Sequence, residues 1–334
     1  MKKIIFESKN NAVLKDIEDR KPNVGEMRVK LAYSALSAGT ERAVLTGNEE
    51  GGEKFRFSFP SSSGYSGSGI ITDIGEGVTD FKVGDRVMVH GAGHQQFATL
   101  PTKEFVHVPD NVGLDEAAMV IISGFSLAAV RKMKISLGHS ALVVGLGLLG
   151  LFSIQYLKLS GAYPIIASDF SKERRELALK FGADHALDPA DPEYTKKVKE
   201  ITRGGVNAAI EVTGNPMALK QTLSCTAKFG RVLLLGCTRT MTEVDFYNDV
   251  HRPGIELIGA HSGARPSLES HSGFFTEMDD CRVTLDYLSA GRLNFKDMIS
   301  EVHSPSEAHE VYARLAVGKD FPIGVIFDWN NFNE

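Results

Sequence analysis

Cysteine is scarce in this sequence. Cys225, Cys237 and Cys281 are the only three in a chain of 334 residues, and no C-x-x-C pair occurs. That excludes a four-cysteine zinc lobe, argues against a disulfide framework, and fits free thiols in a reducing cytoplasm. Excess positive charge is missing too. Lys and Arg number 37 against 42 Asp and Glu, a net charge of −5, so nothing argues for nucleic acid as a partner. No apolar run of membrane-spanning length is free of charge or glycine. The stretch 141–160 comes closest, and it reads better as a strand, a glycine turn and a helix. The opening Met1-Lys2-Lys3 is not followed by an apolar signal core, so neither a secretory leader nor a membrane partner is expected. With 43% hydrophobic and 24% charged residues, the composition is that of a soluble globular enzyme long enough for two domains.

What the chain does contain is ordered around 140–169. Ala141-Leu142-Val143-Val144 is an apolar, strand-like run, and Gly145, Gly147 and Gly150 follow at G-x-G-x-x-G spacing. A helix-like segment comes next, Gly161 breaks it, and a second apolar run ends at Asp169, about 20 residues beyond the last glycine. Gly145 permits the tight turn, Gly147 lets the backbone approach a pyrophosphate, and Gly150 lets helix and strand pack closely. Leu146, Leu148 and Leu149 complete a turn and helix start whose free N–H groups and positive dipole suit phosphates. Asp169 accepts hydrogen bonds from both ribose hydroxyls and repels a 2′-phosphate, which favours NAD over NADP.

Residues 1–110 read as β-rich, with strand-like runs at 4–6, 27–33, 69–74 and 87–89; residues 48–64 read as a polar surface loop. From about Leu114 the period changes. Residues 115–130 read as a helix interrupted at Ser123-Gly124. Strands at 141–145, 164–168, 184–187, 207–212, 231–235 and 255–260 then alternate with helices at 148–160, 172–181, 192–202, 216–228 and 242–250. Such alternation predicts parallel βαβ units. Ser171 is the expected N-cap of the second of these helices and Phe181-Gly182 its stop. The tail reads as helices at 274–290 and 305–317 and a strand at 321–327. The fold class is α/β, a doubly wound nucleotide domain inserted into a discontinuous outer domain.

On these pieces the chain resembles the medium-chain dehydrogenase/reductase superfamily, the zinc alcohol and polyol dehydrogenases. The resemblance runs nearly end to end. It is carried by Gly39-Thr40-Glu41, by Ser68 to Gly75, by Phe81-Lys82-Val83-Gly84-Asp85-Arg86-Val87, by the helix before the glycine turn and by the turn itself. It implies a GroES-like catalytic domain over 1–125 and 262–334, a Rossmann NAD-binding domain over 126–261, a substrate cleft between them, and hydride transfer to or from a nicotinamide. It further implies cofactor contacts for Phe170 and Arg174 near the adenosine ribose, and for Val212-Thr213, Gly236-Cys237 and Ala260-His261 at strand ends. A homodimer or homotetramer is implied as well, with Ile255-Glu256-Leu257-Ile258 pairing between copies.

The chain departs from that family at the metal. Where zinc-bearing members have a cysteine it has Ala38; where they have Gly-His-Glu it reads Gly64-Tyr65-Ser66; where they have a third ligand it has Ser123. Met88 to Phe97 bridges the region of the structural zinc lobe in a few residues. These side chains lack the soft or anionic donors that hold zinc, so no zinc is expected, the alternative being a site rebuilt from His90, His94 and Glu41. Alkoxide stabilisation then falls to hydrogen-bond donors. By the resemblance, Thr40 matches a proton-relay hydroxyl, and Tyr65 and Ser123 stand at the reacting end of the pocket. Tyr65 is the expected acid/base or oxygen donor, with simple space-filling as its alternative. His94 is a candidate proton shuttle or a hydrogen-bonded loop histidine. Glu41 matches an acid that supports a zinc ligand; here it pairs with Arg42 or orients a pocket group. His261, Arg265 and His271 are either contacts for a hydroxyl-rich or anionic substrate or solvated loop residues.

The expected function is therefore a zinc-independent NAD(H) oxidoreductase interconverting a polar secondary alcohol, of sugar, cyclitol or polyol type, and its ketone. A zinc-free enone or quinone reductase using NADPH is a second reading, against which Asp169 argues. A dinucleotide-binding sensor without turnover is a third, against which the reactive hydroxyls of Tyr65 and Ser123 argue.

Overall fold

Met27, Val29 and Leu31 are buried while Arg28 and Lys30 between them face outward, the period-two pattern of a strand with one covered face. By contrast, Leu142-Val143-Val144 and Ile165-Ile166-Ala167 are buried without alternation, as strands covered on both faces must be. A computed structural model describes residues 1–47, 57–318 and 321–332. It divides into two units, one of residues 1–122 with 281–334 and one of residues 123–280. Among the described residues no helix is long and apolar enough to cross a membrane.

In chain order, β1 (Lys2–Ser8), β2 (Asn11–Asp16) and β3 (Glu26–Ala35) lead into α1 (Ala38–Leu45), then β4 (Ser66–Ile74), β5 (Arg86–His90), β6 (Phe97–Pro101), β7 (Phe105–His107) and α2 (Leu114–Ala117). After α3 (Val120–Met133) the series alternates: β8 (Ala141–Val144), α4 (Leu148–Leu159), β9 (Ile165–Ser168), α5 (Lys172–Lys180), β10 (His185–Leu187), α6 (Tyr194–Thr202), β11 (Val206–Glu211), α7 (Pro216–Cys225), β12 (Thr226–Leu234) and β13 (Glu256–Gly259). The chain closes with α8 (Glu277–Ser289), β14 (Ile299–His303), α9 (Ala308–Val317) and β15 (Gly324–Asp328).

The first unit is built on a mixed sheet in the order β14-β15-β3-β4-β5-β7, with β6 also on β3, so the last strand of the chain pairs with β3. Its core joins distant segments: Phe6, Leu31, Val87, Tyr312, Phe327 and Trp329 are all buried in one cluster. The second unit carries a parallel six-stranded sheet in the order β10-β9-β8-β11-β12-β13. That order reverses direction between β8 and β11, which makes the C-terminal ends of those two strands the ligand crevice of a doubly wound sheet. The second unit thus has the doubly wound parallel sheet expected of the nucleotide domain, and the first the discontinuous β-rich build expected of the outer one.

Several expected boundaries move. The helix expected at 115–130 is two helices, α2 and α3, and Ser123-Gly124 lies inside α3 rather than interrupting it, because burial of the surrounding Ile121, Ile122 and Leu127 outweighs glycine's weak propensity. The helix expected at 216–228 stops at Cys225, and Thr226 already opens β12. The expected helix at 242–250 is a six-residue π-helical turn, Phe246–His251, capped by Asp245. The segment 305–317 begins as a 3₁₀ turn held by a Ser304–Glu307 capping box before α9 starts. Residues 262–280 fall in the second unit, not the outer one. Arg131 donates to Asp280 at 2.8 Å and Arg265 lies 3.6 Å from Glu277, tying that segment to α3 and the start of α8. Of the loop expected at 48–64, residues 48–56 lie outside the described residues. The expected cap and stop of α5 are present: Ser171 Oγ accepts from the Arg174 N–H, and Gly182 follows Phe181 with φ +114°.

Candidate active site

The glycine turn forms as its chemistry requires. Gly145 leaves β8 with φ +94°, the left-handed region that favours glycine. A Cβ on Gly150 would stand 2.0 Å from the carbonyl oxygen of Gly145, so only glycine lets α4 approach β8 this closely. At Gly147 nothing lies within 4 Å of where a Cβ would point, which leaves its face open to a ligand. Leu148 and Leu149 form the first turn of α4, behind this face, and Leu146 is fully buried. These features fit a dinucleotide pyrophosphate.

Asp169 follows β9. Its Oδ2 accepts the Leu146 N–H at 2.8 Å and its Oδ1 accepts the Ser171 N–H at 2.9 Å. The acid thus holds the glycine turn itself, and Arg174 Nη1 sits 4.0 Å from Oδ2. Phe170 beside it is 74% exposed, an apolar ring offered to solvent at the position expected to meet adenosine. The remaining cofactor candidates gather at the same edge of the sheet. Val212-Thr213 follow β11, Gly236-Cys237 follow β12, and Ala260-His261 follow β13. A Cβ on Gly236 would meet the Gly214 nitrogen at 2.3 Å, so these strand ends pack backbone to backbone. His261 is exposed and its Nδ1 accepts the Gly263 N–H.

The catalytic candidates divide between the units: Thr40, Glu41, Tyr65 and His94 in the first, Ser123 in the second. Thr40 is exposed in the first turn of α1. The half-buried Tyr65 donates its phenol O–H to Ser37 Oγ at 2.7 Å. Ser123 is fully buried in α3 and accepts the Tyr156 O–H at 3.1 Å.

His94 is not at a reacting surface. It is 1% exposed, packed edge-on against Phe327, and both ring nitrogens are engaged. Trp329 Nε1–H donates to Ser34 Oγ at 2.9 Å, so the Ser34 hydroxyl proton is free to point at His94 Nδ1, 2.7 Å away. The His94 ring then carries its proton on Nε2 and donates to Glu41 Oε2 at 3.1 Å. This corrects the expectation of a proton shuttle. Glu41 is also not paired with Arg42. Its buried carboxylate accepts from His94, from the Tyr312 phenol and, at 2.7 Å, from the Ser37 N–H. Burial, the Glu41 charge and the hydrogen bond hold the Tyr312 phenol well above its usual range, so Tyr312 remains a donor. Nor is Arg265 a solvated loop residue. Its side chain is 8% exposed, beside Glu277 and Asp280, and burial first of all pushes the Asp280 carboxyl above its usual range.

A zinc does not fit at Ala38, Tyr65 and Ser123, the positions at which the resemblance leads one to expect ligands. Ala38 has no donor atom, the Tyr65 phenol is directed at Ser37, and the Ser123 hydroxyl is held by Tyr156. Among the described residues no group of three or more His, Cys, Asp or Glu is arranged to hold a metal.

Ser34, Ser37, Tyr312, Trp329 and Glu211 were missed by sequence reasoning. For Glu211 a signal existed: a charged residue closing the apolar run Val206–Glu211 is out of place unless it is hydrogen-bonded. For Trp329 and Tyr312 none did, because nothing in their local sequence marks the pairing.

Residues 23–126 match the family model described as alcohol dehydrogenase GroES-like domain, and residues 149–277 the one described as zinc-binding dehydrogenase. L-threonine 3-dehydrogenase of Pyrococcus horikoshii is 32% identical over 278 residues, covering 74% of this chain and 79% of its own. (R,R)-butanediol dehydrogenase of Bacillus subtilis is 27% identical over 276 residues, covering 73% of this chain and 80% of its own. Among solved structures, galactitol-1-phosphate dehydrogenase from Escherichia coli matches with a TM-score of 0.85 at 17% identity, over 98% of this chain and 100% of that one, a likeness of fold.

Proposed function

The chain belongs to the medium-chain dehydrogenase/reductase superfamily of zinc-type alcohol dehydrogenases, and from that premise we propose that it is a zinc-independent, NAD(H)-dependent oxidoreductase interconverting a polar secondary alcohol and its ketone. A bound nicotinamide supplies the hydride acceptor or donor. The chain's own residues do the rest. The Gly145–Gly150 turn and the start of α4 receive the pyrophosphate, and the Asp169 carboxylate receives the ribose hydroxyls and disfavours a 2′-phosphate. In alcohol oxidation the Tyr65 oxygen takes the substrate's hydroxyl proton as the phenol's own proton passes to Ser37 Oγ, whose hydroxyl proton leaves in turn; ketone reduction runs the reverse. Thr40, exposed one turn away on α1, passes the proton to water.

The observation that carries this reading is the Tyr65–Ser37 hydrogen bond. It supplies an oriented hydroxyl pair, which supports a proton-moving role for the phenol without a metal. Relatives named for L-threonine and (R,R)-butanediol support a small hydroxylated substrate, and the sugar, cyclitol or polyol type is part of the proposal. The test is a panel of polyols and keto-sugars with NAD or NADH, run with elemental analysis and a chelator. Turnover that survives chelation in zinc-free protein is the expected result. Stoichiometric zinc with chelator-sensitive turnover overturns it, and faster turnover of enones with NADPH replaces it with a reductase.

A further inference from the structure

One buried acid in the second unit has no part in the chemistry above. Glu211 is the last residue of β11 and is fully buried. Its Oε1 accepts the Thr213 N–H at 2.7 Å and the Thr213 hydroxyl; the Gly214 N–H reaches both oxygens, at 3.0 and 3.2 Å. The Thr213 hydroxyl oxygen in turn accepts the Asn215 N–H at 3.0 Å, and Asn215 caps α7. The Glu211 carbonyl oxygen accepts the Leu235 and Gly236 N–H groups, each at 2.9 Å. A single residue therefore organises the turn after β11 and the end of β12.

That turn borders the glycine turn. The Thr213 methyl lies 2.7 Å from where a Cβ would project from Gly145. On its other side, a Cβ on Gly214 would stand 2.6 Å from the Cys237 carbonyl oxygen. Thr213 is thus fitted between Glu211 and Gly145 with no slack, at the point between β8 and β11 where the strand order reverses. Burial pushes the Glu211 carboxyl above its usual range, against the hydrogen bonds from Thr213 and Gly214. A buried acid is tolerated only where donors satisfy its oxygens, and here Thr213 and Gly214 supply them.

We propose that Glu211 is a positioning residue for the nicotinamide cofactor: its carboxylate sets the wall of the crevice formed by Thr213 and Gly214, and so the affinity for the dinucleotide. The inference rests on the cofactor reading above. In Glu211→Gln one acceptor becomes an NH₂ that faces the N–H donors of the turn, and the wall opens. NADH binding to the full-length protein, followed by fluorescence titration, is expected to weaken roughly tenfold in this variant at a temperature where it is folded. In the wild-type protein, NADH is expected to slow amide exchange at residues 212–215. A lowered melting temperature with unchanged NADH affinity, or exchange at 212–215 indifferent to NADH, overturns the proposal and leaves the cofactor reading intact. A wild-type protein that binds neither NADH nor NADPH overturns both.

Discussion

The indole N–H of Trp329 donates to the hydroxyl of Ser34 at 2.9 Å, across 295 residues of sequence. This bond orients the Ser34 proton toward His94 Nδ1, which leaves the Nε2–H to donate to the buried Glu41. Losing Trp329 and losing His94 should therefore cost different amounts. Trp329→Phe removes one hydrogen bond and some volume, an expected loss of about 1–3 kcal/mol. His94→Leu takes a donor from the buried Glu41 and the acceptor from the Ser34 hydroxyl, leaving two buried polar groups short of a partner, an expected loss of about 3–5 kcal/mol. Urea unfolding of both variants checks the order; equal losses would mean that the His94–Glu41 bond adds no stability of its own.

Tyr65 and Ser37 make the second test. Tyr65→Phe keeps the ring and deletes the oxygen. If the phenol moves the substrate proton, kcat falls by roughly 10²-fold or more while NADH affinity is unchanged. Ser37→Ala leaves the phenol in place but undirected, so a smaller loss is expected, with Ser37→Thr retaining most of the activity. Steady-state kinetics on all three variants decides. An unchanged kcat in Tyr65→Phe assigns the ring to packing.

Asp169 does two jobs, and substitution separates them. Its oxygens hold the Leu146 and Ser171 N–H groups, and in the function proposed above its charge disfavours a 2′-phosphate. Asp169→Asn keeps an acceptor and removes the charge, with Arg174 close by. The ratio of kcat/KM for NAD over NADP is expected to fall roughly tenfold. Asp169→Ala also releases the turn, so affinity for both cofactors should drop together. A ratio that does not move in Asp169→Asn would place the discrimination elsewhere.

The second unit was the more legible of the two, for a physical reason. Its strands are buried on both faces and its turns need glycine, so Ala141–Val144, Gly145, Gly147, Gly150 and Asp169 announce themselves locally. The first unit is held by pairs far apart in sequence. β15 on β3, Trp329 on Ser34 and Tyr312 on Glu41 leave no periodic trace. That is why the sequence left His94 open between a proton shuttle and a hydrogen-bonded histidine when it is a hydrogen-bonded core residue, and why α1, a short helix fixed by Glu41 bonding back to the Ser37 N–H, was not expected at all.

The surface cluster of Glu301, His303, Glu307 and Arg314 sets the last prediction, the pH dependence of stability. Burial works against charging His303, but Glu301 at 2.7 Å and Glu307 at 3.2 Å outweigh it and raise its pKa above the ordinary 6.5. A raised folded value means that this contribution is fully present below pH 6.5 and is lost as pH rises through the folded value. The carboxylates run the other way. Arg314 first of all holds Glu301 low, and the Ser304 N–H, then His303, holds Glu307 low. Their contribution is present above the ordinary 4.5 and is lost as pH falls through the folded values. The cluster therefore stabilises most between these limits. His303→Gln is expected to flatten the loss of stability above pH 6.5 and to keep the part of the acid-side loss that Arg314 and the Ser304 N–H carry, read as urea midpoints across the pH range. If the alkaline slope persists in the variant, a group other than His303 carries it.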